Sequence, residues 1–253
     1  MSEAIRARWA TFHAKVTARL DEVMAEATPG ITELIETEAL DPTPFATAMM
    51  ELRTRLLGLG KKLEEGRAKL ARDLPEDDDA AEALRDELDA AQRAFDDRVE
   101  DTWEDFELEH SAALARRLEA LAQAEARALA GGRPCASCSA PLVPPVTHQP
   151  STVACPHCGT RNTVLPGAAT AMFYGGNALH ALADAAAAKE KRALRLAERR
   201  HRRLREPTAA QTEQLRAAAE AYWSRYLRAK GALTPGWTDA NLATELANRL
   251  KRY

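Results

Sequence analysis

The sequence is short of aromatic residues: Phe, Trp and Tyr make up 5% of its 253 positions. Apolar residues reach 45%, many of them alanine, and charged residues 29%. That balance excludes a thick globular core of bulky side chains and suits long helices with narrow apolar stripes. A signal-peptide pattern is missing, since Met1 to Ala10 holds Glu3, Arg6 and Arg8 and no apolar run. Cysteine is scarce as well; all four fall between residues 135 and 158. A secreted disulfide scaffold spreads its cysteines more widely, so a reducing, cytoplasmic compartment is expected. Also missing are a nucleotide-binding glycine loop, a nucleophile elbow and an acid–base pair at useful spacing. No enzyme is expected on those grounds.

What is present is divided by charge. The net charge of −3 hides 17 Lys/Arg against 30 Asp/Glu in residues 1–130, a net of −13. Residues 131–253 hold 18 against 8, a net of +10. An acidic half is joined to a basic half, which bears on partners more than the overall isoelectric point does.

Periodicity predicts helices. Trp9, Phe12, Val16, Leu20 and Val23 mark one face of a first helix over residues 3–27, ended by Thr28-Pro29-Gly30. A short turn of helix is expected over 31–39. A second helix starts at Thr43 as cap with Pro44 in first position and runs to about Asp73, weakened by Gly58, Gly60 and Gly66. Glu76 to Asp79 places four carboxylates in the first turn of a third helix, which neither proline nor glycine interrupts as far as Ala130. At ~1.5 Å per residue it predicts an arm about 80 Å long. Its apolar stripe from Leu84 to Leu121 has a mean spacing of 3.7 residues, above the heptad value, so a nearly straight antiparallel bundle with the first two helices is expected. Helix resumes near Ala168 and reaches about Arg205, with a kink at Gly175-Gly176. Pro207-Thr208 restarts it to about Lys230, and Thr238 or Asp239 caps a last helix to Arg252.

Between the helical regions, Cys135, Cys138, Cys155 and Cys158 follow a Cys-x2-Cys-x16-Cys-x2-Cys pattern. Each pair suits a tight knuckle presenting two thiolates, and two knuckles complete a tetrahedron around zinc with no position left for water. One structural zinc ion per chain is expected, with a small β-hairpin in the intervening residues. Leu142-Val143, Thr152-Val153 and Thr163 to Leu165 are the strand candidates. The segment Cys155-Pro156-His157-Cys158-Gly159-Thr160-Arg161-Asn162 resembles the closing knuckle of zinc-ribbon and rubredoxin-like domains. In that family glycine commonly follows the second cysteine, where the backbone turns sharply. Gly159 fits this pattern; Ser139, in the first knuckle, departs from it. The resemblance covers about 32 residues. His157 reads as a solvent-facing knuckle residue and His148 as loop.

The expected fold is mainly α: an elongated antiparallel helical arm over 1–132, a small β zinc-ribbon insert over 133–166, and a basic C-terminal helical region over 167–253. His110, on the apolar stripe, is expected to find a ring partner across the bundle. The acidic face from Asp96 to Glu109 lacks a glycine-punctuated calcium loop and reads as solvated or partner-facing. Ala168 to Ala188 has the length of a membrane span, but its alanine content and Asn177, His180 and Asp184 argue against one; packing against another protein helix is expected, with a helix lying at a membrane surface as the alternative. Lys189 to Arg205 holds nine Lys/Arg, with Arg192, Arg195, Arg199 and Arg202 near one stripe. Such a stripe suits an acidic protein surface, in the same chain or a neighbouring copy. The pattern therefore predicts a non-enzymatic scaffold, adaptor or assembly subunit. The alternative is a nucleic-acid-associated factor that binds through the ribbon and residues 189–205, in which case affinity falls steeply with salt.

Overall fold

Apolar residues at three- and four-residue steps carry the first helix further than its proline suggested. The structure, a computed structural model, describes residues 2–75, 78–142 and 148–253. Helix α1 spans Ser2–Thr37 with Pro29 inside it, so the predicted end at Thr28-Pro29-Gly30 and the separate turn at 31–39 are not found. The reason lies in the stripe. Ile31 and Ile35 are as buried as Val16, Leu20 and Val23. An interior proline costs about 3 kcal/mol, and burying each isoleucine returns roughly 1.5–3 kcal/mol.

Helix α2 spans Pro42–Arg72. Its cap is Asp41, two residues before the predicted Thr43; the carboxylate accepts the Thr43 N–H at 3.0 Å, and Pro42 takes the first position. Gly66 is required by packing, because a β-carbon there would meet the Phe12 ring at 2.2 Å. Helix α3 spans Asp79–Ala130, and Asp78 accepts the Ala80 N–H at 2.9 Å just before it. Two of the four carboxylates predicted for its first turn, Glu76 and Asp77, lie outside the described residues.

The chain forms two compact units, Met1–His110 and Ser111–Tyr253. In the first, α1 and α2 run antiparallel, as shown by Phe12 against Gly66 and by Arg55 paired with Glu26. α3 lies parallel to α1, with Arg6 bound to Glu87 and Arg98 to Asp21, and antiparallel to α2, with Arg67 bound to Asp89 and Arg53 over Trp103. This up–down–up bundle buries Leu84, Leu88, Phe95, Val99, Trp103 and Phe106 of the predicted stripe. The ion pairs around it are mostly exposed and screened by solvent, so the apolar stripe rather than these pairs holds the bundle. His110 is buried, but its partner belongs to its own helix. Nδ1–H donates to the Phe106 carbonyl at 2.9 Å, and the ring stacks on Phe106.

The second unit contains the end of α3, where Ala112, Ala115 and Ala122 are buried and Leu114 and Leu121 only half-buried. There alanines join Leu118 in the buried stripe. Two small antiparallel sheets follow, β1 (Arg133–Pro134) with β2 (Pro141–Leu142) and β3 (Ser151–Ala154) with β4 (Arg161–Val164). The helix predicted from Ala168 to Arg205 is three: α4 (Ala168–Gly175), α5 (Ala178–Ala186) and α6 (Ala188–Arg202). Gly176 separates the first two. The second break, at the fully buried Ala187, has no glycine or proline to signal it; Arg225 donates to the Ala186 carbonyl there at 3.2 Å.

Helices α7 (Ala209–Leu233) and α8 (Asp239–Leu250) each open with a capping box, Thr208 with Gln211 and Thr238 with Asn241. Ala183, Ala187, Leu194, Ala219, Tyr222, Tyr226 and Leu227 form the core of this helical group. Asp184 accepts the Tyr222 hydroxyl and pairs with Lys191 at 2.8 Å, and His180 bonds the Tyr226 hydroxyl. Burial and Lys230 hold the His180 imidazole below its usual range. Among the described residues, no helix is long and apolar enough to cross a membrane. The fold is mainly α.

Candidate metal centre

Each cysteine pair sits in the turn of one of the two hairpins rather than flanking a single hairpin. The hairpin predicted between the pairs is therefore absent among the described residues, and Val143 lies outside them. The turns repeat one hydrogen-bond pattern. Cys135 N–H donates to the Ala140 carbonyl at 2.8 Å and Ser139 N–H to the Cys135 carbonyl at 3.0 Å. Cys155 N–H donates to Thr160 and Gly159 N–H to Cys155, both at 2.9 Å. Ser139, the departure from the glycine pattern, has φ 59° and Gly159 φ 75°. The serine thus takes the same left-handed turn, against the steric cost that a β-carbon adds there.

The two knuckles bring Cys135, Cys138, Cys155 and Cys158 together with all four Sγ atoms within 4.8 Å of one another. Cys135 lies 3.7 Å from Cys158, and Cys138 lies 3.6 Å from Cys155. A disulfide needs about 2.05 Å. A tetrahedron with Zn–S bonds of ~2.3 Å has edges of about 3.8 Å. The sulfurs are therefore free thiols at spacings that a single four-coordinate metal ion fits. Cys135 and Cys155 are buried, whereas Cys138 and Cys158 face solvent.

Backbone N–H groups prepare the site for anionic sulfur. The amides of Cys138 and Ser137, with the Asn162 side chain, bring the Cys135 thiol down to about 6. The Thr160 hydroxyl, 3.3 Å from Cys158 Sγ, is the first cause of that thiol's lowering, followed by the Thr160 amide. Cys138 behaves differently. The Ala140 amide favours its thiolate, but Cys158, burial, Cys155 and Cys135 outweigh it and push the thiol up to about 12. Without a metal, four adjacent sulfurs do not all ionise; a divalent cation reverses that balance.

Three residues outside the cysteine pattern support the centre. Asn162, on β4, accepts the Ala136 N–H at 2.9 Å, donates to the Thr160 carbonyl at 2.9 Å and approaches Cys135 Sγ at 3.6 Å. It ties the second knuckle to the first. Its one sequence signal is an asparagine in a strand, where that residue is depleted. At the base of the hairpins, Glu125 near the end of α3 caps α4. Its carboxylate accepts the N–H groups of Ala169 and Thr170 and the Thr170 hydroxyl, at 3.0, 2.9 and 2.9 Å. Gly167 makes room, since a β-carbon there would meet Glu125 Oε2 at 2.2 Å. A cap drawn from a residue 44 positions away leaves no local pattern to read.

The other candidates fall elsewhere. Among the described residues, the four cysteines are the one group of three or more His, Cys, Asp or Glu placed to share an ion, and His157 is not in it. His148 packs against Tyr174, with ring centroids 5.0 Å apart. Of the predicted basic stripe, Arg192 and Arg202 are exposed on α6, Arg195 is half-buried and Arg199 is buried. The exposed line of α6 runs instead through Lys189, Arg192, Leu196 and Arg200 and on to Arg203 just past its end, at the 3.6-residue period of a helix.

The chain matches no family model, no curated protein and no solved structure.

Proposed function

We propose that this chain is a non-enzymatic interaction protein, a scaffold, adaptor or assembly subunit, in which one structural zinc ion holds a ribbon-like insert between helical segments. The observation that carries the reading is the spacing of the four sulfurs, 3.6 and 3.7 Å across the two knuckles and none beyond 4.8 Å. Four thiolates fill a tetrahedral ion and leave no position at which water could be activated. The insert needs such an ion, because its own core is Cys135, Leu142 and Cys155 with Ala140 packed against them. So little apolar surface does not offset chain entropy, and metal-binding energy becomes folding energy.

The contact surface in this reading is α6. Cations on its exposed line suit an acidic protein surface, and the exposed Leu196 in their midst offers an apolar anchor that a phosphate backbone does not use. The test compares poly-glutamate with a short DNA duplex as probes in a salt titration. Full-length protein should bind the polypeptide, and Lys189, Arg192, Arg200 and Arg203 changed to glutamate should abolish that binding while the helical signal stays intact. Sub-micromolar duplex binding at physiological salt, lost in the changed protein, would establish the nucleic-acid reading instead.

A further inference from the structure

Helix α2 leaves two large apolar side chains in water, Met50 and Leu57, 66% and 62% exposed. They stand seven residues apart on one side of the helix, the spacing of a seam that packs against another helix. The same side borders a cleft of about 820 Å³ between α2 and α3, lined on α2 from Arg53 to Arg67. That stretch is roughly 21 Å long, four turns of helix. Leu56, Leu57, Val99 and Trp103 are its apolar lining. Gly60 leaves a gap in the α2 wall: a β-carbon there would find only Asp96 Oδ1 within 4 Å, at 3.4 Å.

We propose that this cleft receives helix α2 of a second copy of the chain, the two helices crossing antiparallel about a twofold axis. Self-complementarity selects both the partner and the register. With the axis between Gly58 and Leu59, Leu57 faces the gap at the partner's Gly60. Arg53 then faces the partner's Glu64, and Met50 lies along the aliphatic stem of the partner's Arg67. A twofold interface makes each of these contacts twice. Centring the pair on Leu57 instead would set Arg53 against the partner's Lys61 and Met50 against the partner's Glu64, a like-charge contact and an apolar–carboxylate one. Glycine in the middle of a helix costs about 1 kcal/mol relative to alanine, and a knob-into-hole contact gives Gly60 its reason. The inference goes beyond the metal site and the α6 surface and stands if either fails, because its surface contains neither.

Analytical ultracentrifugation of the full-length protein tests it. The unmodified chain should sediment as a dimer. Arg53→Glu and Glu64→Arg should each raise the dissociation constant by about tenfold or more, since each reversal turns two attractive contacts repulsive. The double variant should recover it, and Gly60→Leu should weaken the dimer by filling the hole. These positions are surface ones, and circular dichroism on each variant confirms that the fold persists. A monomer at all concentrations up to about 100 μM would overturn the proposal and leave the cleft to another occupant. So would a dimer indifferent to these changes, or single reversals that the double variant does not rescue.

Discussion

Ser139 and Gly159 occupy equivalent places in the two knuckles, yet only one of them adopts a left-handed φ without steric cost. Replacing Ser139 with glycine should therefore stabilise the protein, by up to about 1 kcal/mol, because the relieved strain slightly exceeds the added chain entropy. Thermal melting of the metal-loaded variant checks the sign; a lower melting temperature would show that the serine side chain supports the turn. Asn162 acts in the opposite sense. It supplies no ligand of its own, but it contacts the Cys135 sulfur and orients the first knuckle from the second, and loss of such outer contacts typically weakens metal affinity by about 10–100-fold. Asn162→Ala should show that loss in competition with a chelator, with helical content unchanged. An affinity equal to that of the unmodified protein would reduce Asn162 to a strand residue.

Elements were legible in the sequence where a local pattern defined them. The apolar steps of α1 and α3, the end of α2 at Arg72 and the Thr208 and Thr238 caps are all carried by residues within one or two turns. Elements misread were those decided at a distance. Pro29 did not stop α1 because Ile31 and Ile35 had a core to enter, and Ala187 broke a run of alanines with nothing in the run to mark it. The α4 cap belongs to this second kind. Three hydrogen bonds from α4 hold the Glu125 carboxyl below its ordinary 4.5, although burial works against them. A carboxyl lowered on folding contributes stability above its unfolded value and loses it as pH falls through the folded one. Glu125→Gln should thus lower the melting temperature at neutral pH, by about 1–3 kcal/mol in stability. The gap between the two proteins should narrow below pH ~4.5. Comparing the variants at each pH cancels acid effects common to both, the loss of metal included. A gap independent of pH would mean that the charge of Glu125 is not what caps α4.

At the scale of the whole molecule, the sequence disclosed the division between an acidic and a basic half, the mainly α fold and the four-cysteine cluster. The cluster was legible because two short spacings already define two knuckles, whatever surrounds them. The face of α6 was not. Arg192 and Arg202 of the predicted stripe are exposed, yet Arg195 is half-buried and Arg199 buried, while Arg200 and Arg203 remain exposed. Charge spacing alone does not say which side of a helix its neighbours cover. What the account depends on most is that the thiols serve a metal. The direct measurement is elemental analysis of protein purified without added metal, paired with a melt before and after treatment with a strong chelator. The account predicts close to one zinc per chain, little iron, and a hairpin region that loses its ordered signal when the metal is withdrawn or when Cys155 is changed to serine. Metal-free protein with disulfides between these cysteines, or a melt that the chelator leaves unchanged, would contradict it.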